Sequence, residues 1–164
     1  MKNIIDKISS YNFFNYLLPG ILFAVAANSL TSYSFIQDNL IVGAFIYYFI
    51  GLVISRFGSL VIEPILKRIS FLKFADYKDF AYASKKDSQI NIFSEENNMY
   101  RTFCSMFILL IFLRIYYFVN IKFPMLELWN TYFLIILLLL MFLFSYRKQT
   151  QYITKRIRAV LNKD

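Results

Sequence analysis

"GLVISRFGSLVIEPILKR", residues 51–68, closes an apolar run that begins at Leu40, and its reading decides the fold. About 20 residues in a helix, at ~1.5 Å each, cross the ~30 Å of hydrocarbon in a bilayer, and this run is long enough. Yet it carries Arg56, several small residues and a Glu63-Pro64 pair. Projected at ~100° per residue, Gly43, Gly51, Ser55 and Gly58 share about one third of the helix circumference. Such a stripe of small side chains lets membrane helices approach closely. Arg56 lies roughly opposite the stripe. Two roles are open to it: snorkelling to the headgroups at the inner end of the span, or facing an aqueous path or an anion in an oligomer. Glu63 follows on nearly the same face. It is a candidate helix-start charge or, at the inner mouth of an aqueous path, the counter-charge to Arg56, and Pro64 is expected to bend or restart the helix there.

The rest of the chain repeats the pattern. Of its 164 residues, 59% are hydrophobic and 20% aromatic, and the mean hydropathy of +0.51 lies far above that of a soluble domain. Further apolar runs fall at 13–30, 102–121 and 129–146, which makes the expected fold all-α and integral to the membrane, with four transmembrane helices. Ala24-Val25-Ala26 has the look of a signal-peptidase site, but the expectation is that the segment is retained as a span. Lysines and arginines are held on the cytoplasmic side of a membrane. They cluster before the first span (Lys2, Lys7), between the second and third, and after the fourth, whereas the other two connections hold only Lys122. Both termini are therefore expected in the cytoplasm, and Tyr33, Tyr116, Tyr117, Trp129 and Tyr132 in an outer aromatic belt. The expected domains are 1–62, an N-terminal segment and first transmembrane hairpin; 63–100, a small helical cytoplasmic cap; 101–146, a second hairpin; and 147–164, a basic tail.

Arg114 lies about 20 Å into the third span, counted from Arg101 at ~1.5 Å per residue. Outward snorkelling and an internal role are both open to it, with Asn28 of the first span as candidate partner. The segment 63–100 mixes both signs of charge, and Ile65, Leu66, Ile69, Leu72, Phe80, Ile90, Ile92 and Phe93 supply apolar surface for two helices, the second restarting at Ser94. The tail is one-sided: Arg147, Lys148, Lys155, Arg156, Arg158 and Lys163 face a single acid, Asp164. Contact with anionic lipid is its default role. Phosphates of an oligonucleotide, with Tyr146 and Tyr152 as stacking faces, are the sharper one.

Enzyme chemistry finds little foothold. Histidine is absent, which removes the commonest general base and metal ligand. The single cysteine, Cys104, reads as a small packing residue, and no zinc spacing, EF-hand pattern or phosphate loop appears. No catalytic residue, metal or cofactor is expected.

Three blocks, "YNFFNYLLPGILF" (11–23), "ISRFGSLVIEPILK" (54–67) and "EENNMYRT" (95–102), resemble those of small four-span bacterial membrane effectors of antiphage defence systems. Among these are the Hailong type, paired with a nucleotidyltransferase that makes an oligonucleotide signal, and CRISPR-linked pore proteins. The resemblance implies an oligomeric channel or pore that damages the host membrane when a cytosolic signal changes. The Arg/His nuclease-like motif discussed for the CRISPR-linked proteins does not carry over, because its histidine does not exist here. The expected partners are the lipid bilayer, further copies of the chain, and an oligonucleotide or a soluble defence protein. The alternative is a non-conducting membrane scaffold or sensor that recruits a soluble partner.

Overall fold

Two prolines shape the helices that carry them. In the computed structural model, which describes residues 10–161, α1 (Phe13–Leu30) and α2 (Leu40–Arg68) each contain one widened turn just before a proline. In α1 the turn covers Phe13–Leu17, and the Leu18 N–H bonds the Phe13 carbonyl five residues back. In α2 it covers Gly58–Ile62, and the Glu63 N–H bonds the Gly58 carbonyl. A proline has no N–H to offer the carbonyl four residues before it and its ring crowds that carbonyl, so a turn with an extra residue relieves both faults. Helix α2 therefore neither stops nor restarts at Pro64. It runs on to Arg68 and ends where Ser70 adopts a left-handed φ of 59°. There the Ser70 N–H bonds the Lys67 carbonyl at 3.0 Å and the Phe71 N–H bonds that of Leu66 at 3.0 Å, a Schellman closure with serine in the place usually taken by glycine.

A short helix, α3 (Tyr77–Lys86), follows, then α4 (Gln89–Lys122), a 3-10 turn (Pro124–Trp129) and α5 (Asn130–Leu161). Among the described residues there is no strand. Four helices, α1, α2, α4 and α5, are long and apolar enough to cross a membrane, as expected of a multi-pass membrane protein. Helix α4 starts at Gln89 rather than at Ser94, and the tail is no separate element, because α5 carries the last apolar run and the basic residues in one 32-residue helix. In the segment 63–100, Ile65, Ile69, Ile92 and Phe93 stay exposed. The segment contributes one short helix and the extended ends of its neighbours, with Ala81 its buried apolar residue in α3. Lys2, Lys7 and Lys163, which enter the charge asymmetry, lie outside the described residues, as do Met1 and Asp164.

Helices α1, α2 and α4 form the core, where Ala24, Ala27, Ile54, Met106 and Leu110 are buried. Helices α1 and α2 cross at glycines from both sides. A Cβ on Gly51 would lie 1.7 Å from the Tyr16 carbonyl oxygen, and one on Gly20 would lie 1.8 Å from that of Tyr47. Gly58 sits over α4 in the same way, 2.3 Å from the Ser105 hydroxyl oxygen by the same construction. Ser55 is buried in the same core, 1% exposed. Gly43 differs, because its neighbours are the Tyr47 ring of its own helix and Gln37 of the 31–39 connection. Helix α5 stands apart: no residue of its most apolar stretch is buried. It meets the core at Tyr116–Asn130, where the two side chains hydrogen-bond, at the stacked rings of Phe49 and Phe142, and at Lys148.

Candidate functional site

Polar side chains collect at the end of the bundle that carries Glu63. Deepest is a three-residue ring. The Asn15 amide nitrogen lies 3.4 Å from the Ser55 hydroxyl, the Ser55 and Thr102 hydroxyls lie 3.3 Å apart, and Thr102 is 2.8 Å from the Asn15 amide oxygen. Asn15 gives an N–H to Ser55, and the Thr102 hydroxyl stands within donating distance of the Asn15 amide oxygen, the Ser55 hydroxyl and, at 2.9 Å, the Asn98 carbonyl of its own helix. All three are at most 1% exposed, each from a different helix. A half-satisfied amide at this depth is costly, so the ring fixes the register of α1, α2 and α4.

Toward the basic residues, the widened turn at Gly58–Ile62 delivers the Glu63 carboxylate into the space between α2, α4 and α5. Glu63 is 6% exposed. It accepts from Lys67 at 2.8 Å and from Arg101 at 2.6 Å, and Lys148 of α5 stands 3.7 Å away. The Lys148 ammonium donates to the Ser59 hydroxyl at 2.8 Å and to the Ser59 carbonyl. One carboxylate thus holds three cations from three helices, and the cluster keeps an excess of positive charge. Glu63 is not a helix-start charge but the centre of a network, and its partners are Lys67, Arg101 and Lys148, not Arg56.

Arg56, seven residues before Glu63, turns inward. Its guanidinium donates to the Tyr16 hydroxyl at 3.4 Å, and it lines a cleft between α2 and α5 together with Ser59, Leu60, Ser145, Lys148, Gln149 and Tyr152. Arg114 lies at the opposite end of the bundle. Its acceptor is the Leu30 carbonyl that ends α1, not the exposed Asn28, and its guanidinium covers the Phe118 ring at 4.4 Å and the Tyr117 ring at 5.6 Å. Aromatic residues gather there: Tyr33 packs edge-on against Tyr117, accepts from Asn120 at 3.1 Å, and Trp129 contacts Tyr132.

The tail residues do not act as one patch. Arg147 is exposed, Lys148 belongs to the Glu63 cluster, and Lys155, Arg156 and Arg158 lie where α5 passes α3. Tyr77 of α3 meets Tyr152 at 6.3 Å between ring centres. Beside them opens a shallow groove with about 460 Å³ of empty space, partly open to the outside, lined by Tyr77, Lys78, Lys155, Arg158 and Ala159. A narrower cleft adds Lys85, Tyr82 and Arg156. Sequence reading missed Lys78 and Lys85, because the mixed charge of the 63–100 segment hides that two of its lysines join the tail. Cys104 is exposed on α4 instead of packed, and among the described residues no group of acids and cysteine is placed to hold a metal ion.

Comparisons with protein-family models, curated proteins and solved structures return no match.

Proposed function

We propose that this chain is a ligand-controlled membrane effector, an oligomeric channel or pore of bacterial antiphage defence, in which a polyanion bound between α3 and the basic half of α5 changes how α5 packs on the other spans. The supporting observation is the continuity of α5: one helix joins the groove cations Lys155, Arg156 and Arg158 to Lys148 in the Glu63 cluster and to an apolar stretch that has almost no packing within the chain. Phosphates drawn to the groove act on a helix with few internal contacts to oppose them. The three-helix core is filled by Ala27, Ile54, Met106 and Leu110, so a path for ions requires several copies, and the unpacked faces of α5 are the natural contact between them. The groove faces the cytoplasm if the charge asymmetry sets orientation.

The test is ion flux from proteoliposomes, with and without a pool of short mixed-sequence oligonucleotides, together with the oligomer mass. Flux that appears or disappears with the oligonucleotides, and that loses this response in Lys155→Glu/Arg158→Glu, is expected. A protein that stays monomeric in mild detergents and nanodiscs, with vesicles ion-tight under both conditions, replaces the pore with the scaffold reading.

A further inference from the structure

The cleft between α2 and α5 holds donors that nothing in the chain uses. The Arg56 Nε and the Ser145 Oγ are both buried without a hydrogen-bond partner, and both residues line it. Ser145 is 9% exposed. Among the described residues no acid pairs with Arg56, since the ion pairs all converge on Glu63. Lys148 and the Gln149 amide complete the wall, and the Tyr152 ring lies 5.8 Å from the Lys148 ammonium. An unpaired N–H and hydroxyl at such depth are rare unless something accepts from them. The acceptor this wall favours is an anion, because its two unused donors include one on a guanidinium, the Lys148 ammonium stands beside them, and the Glu63 carboxylate is already held by three cations.

From this geometry we infer that the α2–α5 cleft is a binding site for a phosphate group, with Arg56 and Ser145 as its donors and the Lys148 charge beside them. Its position points to a phospholipid headgroup as the source. Ser145 is the last small residue of the apolar run of α5, and Tyr146, Arg147 and Lys148 follow it, so the cleft opens where hydrocarbon gives way to the polar end of the bundle. The enclosed part of the cleft is small, about 20 Å³, room for a single phosphate oxygen, so the rest of the headgroup lies at its open side and the acyl chains along the exposed face of α5. This site is separate from the α3–α5 groove and does not depend on whether the protein conducts. It shares with the groove only helix α5, so occupancy by lipid is expected to hold α5 against α2.

The experiment compares binding of phosphatidylglycerol, of phosphatidylcholine and of inorganic phosphate to the full chain in a neutral detergent, read by native mass spectrometry and by the thermal midpoint. Phosphatidylglycerol is expected to stay bound and to raise the midpoint. Arg56→Gln and Ser145→Ala are each expected to weaken it by about tenfold, the loss that goes with one charge-assisted or buried hydrogen bond. Arg68→Gln, which removes an equal charge from an exposed position outside the cleft, is expected to change it less than about twofold. Arg56→Lys keeps the charge without the Nε donor and is expected to fall between, which separates the site from general attraction. If inorganic phosphate binds with the same Arg56 and Ser145 dependence and phosphatidylglycerol does not, the site stands and its source is soluble. Equal lipid binding by wild type, Arg56→Gln and Ser145→Ala overturns it. So does binding of neither probe, in which case the cleft holds only water.

Discussion

At the scale of single residues, the distances between backbones decide which small side chains matter. Gly51 and Gly43 lie on one stripe of α2, yet only Gly51 meets another helix, with a main-chain oxygen where its Cβ would go. The Tyr16 carbonyl cannot turn aside without parting α1 from α2. Gly51→Ala is therefore expected to destabilise by about 1–3 kcal/mol, the usual range for overpacking. Gly43→Ala meets the edge of a ring at 3.2 Å, which can rotate, and gains up to ~1 kcal/mol of helix propensity. It is expected to be neutral or mildly stabilising. Thermal unfolding of both variants in one detergent checks this, and equal midpoints would remove the crossing at Gly51 from the account. Gly20 belongs to the same crossing, and its packing role is visible only once α1 and α2 are set together.

At the scale of elements, apolar length was enough to find the four spans, while the ends of helices were not legible in composition. Pro64 reads as a bend or a restart, and the extra residue at Gly58–Ile62 lets α2 continue through it. The break before α4 falls at Asp87 and Ser88, where the Asp87 carboxylate accepts from the Gln89 N–H at 2.9 Å, a local contact that hydropathy does not record. The site shows the same division. Lys67 is one helical turn from Glu63, and that pair is legible from spacing. Arg101 and Lys148 come from other helices, and nothing in the sequence names them. Asn15, Ser55 and Thr102 are each polar residues toward the basic end of an apolar run, but at different depths, Thr102 at the first position and Ser55 well inside, so spacing does not bring them together. The Glu63 network also carries a prediction about α5. Glu63→Gln keeps the shape of the side chain but leaves Lys67, Arg101 and Lys148 facing one another without their anion. The expected loss is about 2–3 kcal/mol, as for other hydrogen bonds to charged groups, and it should fall on α5, the helix with least other packing. Cysteines at Phe49 and Phe142, whose rings stack 6.2 Å apart, report on that contact in a Cys104→Ala background. Disulfide formation between them should be fast while Glu63 is present and markedly slower in the Glu63→Gln variant. An unchanged rate would mean that α5 is held by its apolar and far-end contacts alone.

At the scale of the whole molecule, the two ends of the bundle differ in kind, and the difference has a consequence for orientation. One end gathers Glu63, Lys67, Arg101, Lys148 and the α3–α5 groove. The other has an aromatic cluster, with Arg114 as its inward-bonded cation and Lys122 at the end of α4. Neighbouring spans run in opposite directions, since Tyr16 meets Gly51 and Gly20 meets Tyr47, so the described chain starts and finishes at the basic end. If charge retention on the cytoplasmic side sets the orientation, that end, with Asp87, is expected inside the cell, and Ser34 and Lys122 outside. Single cysteines at these three positions in a Cys104→Ala background, exposed to a membrane-impermeant thiol reagent on intact cells, should label at 34 and 122 and stay protected at 87 until the cells are opened. Labelling at 87 from outside would invert the protein. The α3–α5 groove would then face away from any cytosolic polyanion, and the proposed control of α5 would lose its ligand even though the same contacts hold the bundle together.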